Sequence, residues 1–311
     1  MITERTEGKT KLLSMRSRQL LVEFAPQVGG RMVKLQNLET GRQFLWKNPS
    51  LDLEKLPAGS EYDPNFYGGI DELLPNDMPE EINGVDFPDH GELWTLALDW
   101  KETGEGVTLS GRLPLCGLNY EKTLELAPDR PELIIRYRIS NPTASAKPFL
   151  WKFHAALEID EGDEIICPAE TAVVADPQWS KWKSTEPFPW PAVQGQRADR
   201  IPGRGAEVDF LYLYNLKTGC MGWRRPGEDA AFAYFFDKNV FPYCWYFASY
   251  GGFYGHYTAV LEPCTAMPCS VREAHAQGQC SVLEGGEALE TTVRIYAGTG
   301  SGMERIWKGA E

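Results

Sequence analysis

Alternation of apolar and polar residues with a period of two is clearest in residues 149–159, FLWKFHAALEI. Successive side chains of a strand point to opposite faces, so Phe153 and Leu157 share one face while Lys152 and His154 share the other. The pattern predicts a β-strand whose apolar face packs between two sheets. Its other face then presents a histidine beside a charged residue.

The same pattern recurs along most of the chain, and helical periodicity is nearly absent. Short helices are predicted at 51–56 and 303–308. No fixed-period repeat is present, so the sequence predicts an all-β fold in which residues 1–311 form one large antiparallel β-sandwich domain. The further strands are predicted at 19–24, 29–38, 44–46, 93–100, 107–113, 120–126, 133–140, 208–216, 219–224, 230–236, 242–250, 256–262 and 289–297.

Residues 62–94 interrupt this pattern and are predicted to form a long loop, because they are rich in Gly, Pro, Asn and Asp. Gly68 and Gly69 let the backbone turn where a side chain would clash. The mixture of carboxylates, amide, imidazole and aromatic rings suits a polyhydroxylated ligand, although a solvated acidic surface loop is the alternative. The hydrogen-bonding groups are Asp71, Glu72, Asn76, Asp77, Asp89, His90 and Glu92.

A second unusual segment, residues 176–205, contains three tryptophans and five prolines. It is predicted to be an excursion from the sandwich that acts as a lid, an oligomer contact or a packed surface loop. The lid is preferred because tryptophans beside a cleft stack well on sugars.

The bulk composition excludes several classes of partner. The 311 residues carry a net charge of −13, with a pI near 4.9, so neither nucleic acid nor an anionic membrane is expected as a partner. No secretory signal and no membrane-spanning apolar run are visible. The seven cysteines contain no Cys-x-x-Cys pair and no zinc spacing, which predicts reduced thiols in a cytoplasmic protein without a metal or another cofactor.

Two strands carry residues suited to proton transfer. His154 can donate a proton near neutral pH without help from a metal. In residues 256–263, HYTAVLEP, Glu262 precedes a proline that cannot donate to the ladder, so the carboxylate is expected where the strand ends. Partial burial there would raise the pKa of Glu262 and make it a useful base. The alternatives are a structural histidine and an ordinary sheet-edge carboxylate.

Taken in order, the motifs of this chain resemble those of the aldose 1-epimerase (galactose mutarotase) superfamily, especially its divergent bacterial members. The resemblance covers most of the chain, and the order and spacing of the motifs are more specific than any single motif. It implies a large antiparallel β-supersandwich with a sugar bound in a cleft on one sheet. The motifs are Gly29-Gly30-Arg31, Phe66-Tyr67-Gly68-Gly69, Asp89 to Trp94, Tyr120-Glu121-Lys122, Asn141, His154, Leu261-Glu262-Pro263 and Gly285-Gly286-Glu287.

The resemblance also implies an isomerase of carbohydrate metabolism whose partner is a small-molecule sugar. Glu262 would take the proton of the anomeric hydroxyl while His154 protonates the ring oxygen, so that the ring opens and recloses as the other anomer. His90 matches the family's second histidine, which binds sugar hydroxyls. The remaining expected substrate-binding residues are Asp71, Glu72, Arg31, Trp94 and Tyr257.

The chain departs from the family at two positions. Galactose mutarotases carry an Asn-His pair followed by an aromatic residue where this chain has Phe-His-Ala at 153–155. They also carry a Gly-Arg…Asn-Arg segment where this chain has residues 70–76, so the substrate-binding arginine is missing or supplied from elsewhere, with Arg31 as the candidate. The sugar is therefore not assigned, and the acidic loop argues against a phosphosugar.

Three other functions remain open at this stage. A non-catalytic sugar-binding or regulatory protein could use the same fold, but it would need neither an acid nor a base. A metal-dependent sugar enzyme could use His90, Glu92 and His154 as a two-histidine, one-carboxylate site. A polysaccharide lyase or another isomerase is also compatible, because a fold does not fix a function.

Overall fold

The computed structural model describes residues 2–308 except 105 and 194, with side chains described up to residue 305. Two α-helices, α1 (Val271–Ala276) and α2 (Gly300–Lys308), accompany short 3₁₀ helices at Asp63–Asn65, Leu93–Thr95, Pro177–Trp179 and Pro226–Glu228. The strands, in chain order, are β1 (Ile2–Glu7), β2 (Thr10–Arg16), β3 (Leu20–Ala25), β4 (Arg31–Asn37), β5 (Ile70–Leu73), β6 (Glu80–Ile82), β7 (Val85–Phe87), β8 (Asp99–Glu102), β9 (Val107–Arg112), β10 (Asn119–Leu126), β11 (Glu132–Ser140), β12 (Lys147–Phe149), β13 (Lys152–Glu158), β14 (Glu164–Ile166), β15 (Ala169–Val174), β16 (Phe188–Pro189), β17 (Ala192–Val193), β18 (Gln196–Arg197), β19 (Val208–Leu216), β20 (Cys220–Arg225), β21 (Ala230–Phe235), β22 (Tyr243–Tyr250), β23 (Tyr257–Cys264), β24 (Ser281–Leu283) and β25 (Ala288–Thr299).

Two large antiparallel sheets form the molecule, as the sequence predicts. The first has eleven strands in the order β1-β2-β3-β4-β5-β13-β23-β22-β19-β15-β16, and the second has eight in the order β14-β20-β21-β25-β11-β10-β9-β8. Their facing side chains form the main core, where the ring of Phe153 from the first sheet stacks 5.2 Å from that of Tyr234 in the second. The fold is therefore a large antiparallel β-sandwich.

Strand β13 lies in the middle of the first sheet, between β5 and β23. The predicted alternation is confirmed, because Phe153, Ala155 and Leu157 lie in the core between the sheets. Ala156 lies on the other face, in a separate apolar cluster that includes Tyr62. This second face carries the candidate site.

Three local predictions are wrong. Residues 44–46 form no strand, because this segment makes only isolated bridges, such as that of Leu45 with Leu157. Residues 51–56 form no helix, because the Leu53 carbonyl accepts a hydrogen bond from the Thr10 hydroxyl and the Leu53 side chain packs in an apolar cluster with Leu12. Residues 93–100 do not form one strand, because the neighbouring side chains of Leu93 and Trp94 are both buried, which a half-buried strand does not allow. The predicted C-terminal helix is confirmed as part of α2, whereas α1 was not predicted.

The predicted loop at 62–94 contains strand β5, which joins it to the large sheet. Gly68 and Gly69 bring the chain into position with φ of +89° and +78°. A Cβ atom on Gly69 would lie 2.4 Å from the carbonyl oxygen of Met32, so only glycine fits there. The segment therefore crosses the sheet as well as forming loops on either side.

Replacing Gly69 with alanine is expected to destabilise the protein by about 2 kcal/mol or more, because a positive φ and a backbone clash coincide. Gly84→Ala is the matched control, since Gly84 has the same φ of +78° but no atom within 4 Å of the added Cβ. Urea denaturation of both variants measures the difference. Equal losses of stability in the two variants would show that the clash of the added Cβ with the Met32 carbonyl does not contribute.

Candidate active site

Strand register aligns three acidic or basic side chains in one row across the middle of the large sheet. His154 on β13 lies opposite Asp71 on β5. On the other side, β13 pairs Ala155 with Leu261, and the same register places His154 opposite Glu262 on β23. Directly opposed residues of antiparallel strands share a face, so the two candidate catalytic residues lie side by side.

This face opens into a cleft of about 290 Å³, at the small end of ligand-binding pockets. Its polar lining includes both His154 and Glu262, together with His90 from the long loop. Apolar and aromatic side chains line another part of the cleft, where Phe210 and Phe247 lie on the same face of the sheet as Glu262. The other lining residues are Tyr62, Asp63, Phe66, Asp77, Met78, Pro79, Asp89, Lys152, Trp179, Phe210, Phe247 and Phe253.

Glu262 is almost completely buried, with 1% of its surface exposed, and its strand runs on through Pro263 to Cys264. The predicted strand end at Glu262 is therefore wrong; Pro263 is accommodated opposite Cys244 of β22. Burial raises the pKa of Glu262 to about 7, even though the neighbouring Lys152 ammonium acts to lower it. The carboxyl group can therefore exchange a proton near neutral pH.

Lys152 connects Glu262 to the long loop. Its Nζ atom lies 2.6 Å from Glu262 Oε2 and 2.6 Å from Asp77 Oδ1, and 4.4 Å from the centre of the Trp245 ring. Burial lowers the pKa of Lys152, but the two carboxylates outweigh burial and raise the pKa overall. Lys152 therefore remains a charged ammonium between the carboxyl groups of Asp77 and Glu262.

His154 forms the second half of the pair and is 7% exposed. Its Nδ1 atom lies 3.2 Å from the hydroxyl of Tyr62, which donates a hydrogen bond of 2.8 Å to Asp71. Arg31 Nε donates to the other oxygen of Asp71 at 2.5 Å. Burial holds the pKa of His154 well below its usual value, and the nearby charges of Lys152, His90 and Arg31 lower it further.

His90 lies in the same cleft, as predicted, in a left-handed backbone conformation with φ of +57°. Its Nδ1 atom is 2.7 Å from Asp89, and its ring stacks on that of Tyr62 with centroids 4.1 Å apart. Burial lowers the pKa of His90, but Asp77 and Asp89 outweigh burial and raise it. The ring is thus fixed between Tyr62 and the carboxylates at the side of the cleft.

Glu72 was expected to bind substrate, and the structure contradicts this. It is adjacent to Asp71 in β5, so its side chain points to the opposite face, into the core between the sheets. There it accepts hydrogen bonds from Lys122 Nζ and the Tyr137 hydroxyl, both at 2.7 Å. Its role is to anchor the two sheets together.

Four other predicted ligands do not line the cleft. Asp71 and Arg31 form a buried pair behind His154. Trp94 is 2% exposed and packs edge-on against Tyr62, at a centroid distance of 5.0 Å. The Tyr257 hydroxyl donates instead to the Pro202 carbonyl at 2.7 Å. Asp71, Arg31 and Trp94 therefore lie behind the lining residues, whereas Tyr257 lies on the other face of β23 and packs against the core between the sheets, contrary to the prediction.

The position of Glu92 rules out the metal site that His90, Glu92 and His154 were considered to form. Both carboxylate oxygens of Glu92 accept backbone N–H groups, from Leu115 at 2.6 Å and Cys116 at 2.9 Å. Glu92 lines a separate depression and does not meet His90 and His154. Within the described part of the chain, no group of three or more His, Cys, Asp or Glu side chains could hold a metal ion.

The 176–205 excursion contributes one residue to the cleft. Trp179, 42% exposed, lies at the rim and packs edge-on against Phe253, with centroids 5.5 Å apart. Trp190, in contrast, is buried in the main core and donates from Nε1 to the Cys167 carbonyl. The excursion therefore packs into the core through Trp190 and reaches the cleft through Trp179, and the lid stays a prediction.

Sequence reasoning missed Lys152 and Tyr62 as site residues, together with the aromatic side chains of Phe210, Phe247 and Phe253, whereas Asp77 was among the loop groups suited to a polyhydroxylated ligand. The sequence could have indicated Lys152 as a site residue, since it lies two residues from His154 on the same strand face. No sequence pattern indicated the aromatic residues, because they come from strands and a turn that only the order of strands in the sheet brings together.

Solved structures with the same architecture include three bacterial proteins. A candidate aldose 1-epimerase of Klebsiella pneumoniae aligns with a TM-score of 0.74 at 12% identity, over 97% of this chain and 83% of that one. A galactose mutarotase-like protein of Clostridium acetobutylicum aligns with a TM-score of 0.71 at 13% identity, over 96% and 98%. A candidate aldose 1-epimerase of Escherichia coli K12 aligns with a TM-score of 0.68 at 14% identity, over 96% and 100%.

No protein-family model and no curated protein matches the sequence. At such low identities, the structural likeness establishes the fold. The chain has the galactose mutarotase-like β-sandwich, as the resemblance of its motifs predicted. No described helix is long and apolar enough to cross a membrane.

Proposed function

We propose that this protein is an aldose 1-epimerase-like isomerase that interconverts the α and β anomers of a reducing sugar. The observation that carries the proposal is the convergence of His154 and Glu262, from adjacent strands, in one cleft of about 290 Å³. Both groups have pKa values displaced by burial, as is usual for groups that transfer protons.

The reaction needs one group that takes a proton and one that gives a proton. The anomeric hydroxyl loses its proton, the ring oxygen gains one, and the C1–O5 bond breaks to give the open-chain aldehyde. Rotation about C1–C2 and closure on the other face yield the second anomer and restore both protein groups. His154 and Glu262 supply the pair, and each proton transfer contributes about 10²–10⁴-fold.

The rest of the cleft suits an uncharged sugar. Phe247, Phe253 and Trp179 offer apolar surface to the C–H faces of a pyranose ring. The charged groups of the lining offer hydrogen bonds to hydroxyls, with His90 in the binding role. Carboxylates outnumber cations in the lining, which disfavours phosphosugars. The carboxylates are Asp63, Asp77, Asp89 and Glu262.

A cytoplasmic location remains part of the proposal. It is supported by the seven cysteines, all of which are free thiols in the structure.

Magnetisation-exchange NMR on a panel of neutral, acidic, deoxy and phosphorylated reducing sugars tests the function. We expect accelerated exchange between α and β anomeric protons for at least one uncharged sugar. The His154→Gln/Glu262→Gln double variant is the matched control and should leave only spontaneous exchange. No acceleration across the panel would overturn the proposal.

A sugar-binding protein without catalysis is the second candidate. One observation favours it: Lys152 neutralises Glu262 directly, so the carboxylate already has a structural partner. Sugar binding by calorimetry without any acceleration of exchange would select this reading.

A further inference from the structure

We propose that Lys152 and Asp77 are positioning residues for the base Glu262. Lys152 keeps the carboxylate of Glu262 ionised and holds one of its two oxygens, whereas Asp77 shares the same ammonium and so keeps Glu262 basic enough to take a proton. The inference rests on the proposed function and deepens it, because it explains how a buried carboxylate acts as a base near neutral pH.

A buried carboxylate without a partner is a poor base. Removing its charge from water is unfavourable, so an unpaired Glu262, with 1% of its surface exposed, would hold a proton and stay neutral. A carboxylate paired tightly with one ammonium has the opposite defect, because the pair stabilises the ionised form and makes it only weakly basic. A base that works near neutral pH therefore needs a counter-charge that it does not hold alone.

The contacts of Lys152 supply such a shared counter-charge. Its Nζ atom lies 2.6 Å from Glu262 Oε2 and 2.6 Å from Asp77 Oδ1, so two carboxylates divide one ammonium between them. The side chains of Lys152 and Glu262 are only 3% and 2% exposed, which leaves little water or salt to screen their contact. When all three groups are ionised, one negative charge is in excess, and this excess favours the uptake of one proton.

Titratable side chains reach this part of the cleft from β13, from the long loop and from β23 itself. They are Lys152 and His154 from β13, Tyr62, Asp63, Asp77, Asp89 and His90 from the long loop, and Cys264 from β23. Strand β22 adds the uncharged ring of Trp245, opposite Glu262. His154 is neutral because burial holds its pKa well below its usual value, and burial keeps the Cys264 thiol neutral by raising its pKa. Among the ion pairs of the described residues, Glu262 forms one, with Lys152.

The contact with Lys152 also decides which oxygen of Glu262 meets the sugar. Oε2 is buried against Lys152 Nζ, so Oε1 is the oxygen that the cleft can reach. The anomeric hydroxyl would give its proton to Oε1 while His154 protonates the ring oxygen. Ring closure reverses both transfers, and Lys152 remains an ammonium throughout.

Asp77 connects this base to the sugar-binding histidine. Its Oδ1 atom lies 3.8 Å from His90 Nε2, and its backbone carbonyl accepts the N–H of His90 at 2.6 Å. The charge of Asp77 raises the pKa of His90 against the effect of burial. A change at Asp77 should therefore alter sugar binding as well as the strength of the base.

The pH dependence of kcat tests both roles, because the base must be ionised to work. Lys152→Met removes the counter-charge, so we expect the acid limb of kcat to move to higher pH by about one to three pH units. Asp77→Asn leaves the ammonium to Glu262 alone, so we expect the acid limb to move to lower pH, by about one pH unit, and KM to rise. A purely structural role would lower activity without moving the two limbs in opposite directions.

Asp86→Asn is the matched control, because Asp86 is exposed in β7 of the same loop and does not line the cleft. It should leave the acid limb in place. Asp77→Asn keeps the ammonium and the shape of the side chain, so the test stands even where Lys152→Met does not fold.

Infrared titration reads the charge of Glu262 without relying on activity. The carboxyl band that is absent in Glu262→Gln belongs to this residue, and its titration midpoint should be higher in Lys152→Met and lower in Asp77→Asn than in the wild type. Unchanged midpoints, or midpoints that move in the same direction, would overturn the inference. Wild-type protein without anomer exchange would overturn the proposed function, whereas exchange with acid limbs that stay in place would overturn only this inference.

Discussion

Replacing His154 with glutamine is expected to lower the rate constant of anomer exchange by about 10²–10⁴-fold, because an amide forms hydrogen bonds but does not carry a proton through the reaction. Glu262→Gln is expected to cause a loss of the same order for the same reason. One proton must be taken while the other is given, so the two groups act as a unit. The double variant should therefore be little slower than either single variant.

Magnetisation-exchange NMR at saturating sugar gives these rate constants, and calorimetry checks that the sugar still binds. His256→Gln is the matched control, since His256 packs against Trp46 and does not line the cleft. It should leave exchange within about two-fold of the wild type. Full activity in either single variant, or losses that multiply in the double variant, would refute the acid–base pair.

The faces of the two central strands could be predicted from the sequence because covalent geometry alone sets them. Each strand alternates strictly, so the position of Phe153 in the core requires His154 on the other face. The same parity places Glu262 with Val260, away from the core between the sheets. What the sequence does not contain is the order of strands, which makes β13 and β23 neighbours.

Strand β5 shows where local patterning fails. Its four residues, Ile70 to Leu73, place two carboxylates side by side, so one must face the cleft side and the other the core. The composition does not decide which of the two carboxylates faces the core, because burying either one without a partner is normally too unfavourable. Glu72 is tolerated there because Lys122, far away in the sequence, neutralises it.

Lys152 shows the same limit within the site. Its position beside His154 is visible in the sequence, but its role depends on Asp77 and Glu262, which tertiary structure brings to within 2.6 Å. Asp77 follows strand β5, and the turn before this strand needs the positive φ of Gly68 and Gly69. The sequence therefore shows that Lys152 lies near His154 on its strand, but it does not show which carboxylates Lys152 contacts.

Lys152→Met is expected to destabilise the protein by about 3–5 kcal/mol at neutral pH, because it leaves buried carboxylates of Asp77 and Glu262 without a counter-ion. Methionine retains an unbranched apolar side chain near Trp245, so the loss of stability reflects the missing charge more than a change in side-chain volume. Lys11→Met is the control, since Lys11 pairs with Glu4 on the surface, with side chains 63% and 46% exposed. It should cost less than about 1 kcal/mol.

The pH dependence of the Lys152→Met loss gives the sharper test. The folded-state pKa of Glu262 is already raised to about 7, and removing the ammonium that opposes this shift raises it further. A protonated carboxyl needs no counter-ion, so the loss should shrink as the pH falls below 7 and grow as it rises above 7. Urea denaturation at about pH 5 and about pH 8 measures the loss of stability on either side of the Glu262 pKa. A loss that is independent of pH, or no larger than that of Lys11→Met, would show that Lys152 does not hold the charge balance of the cleft.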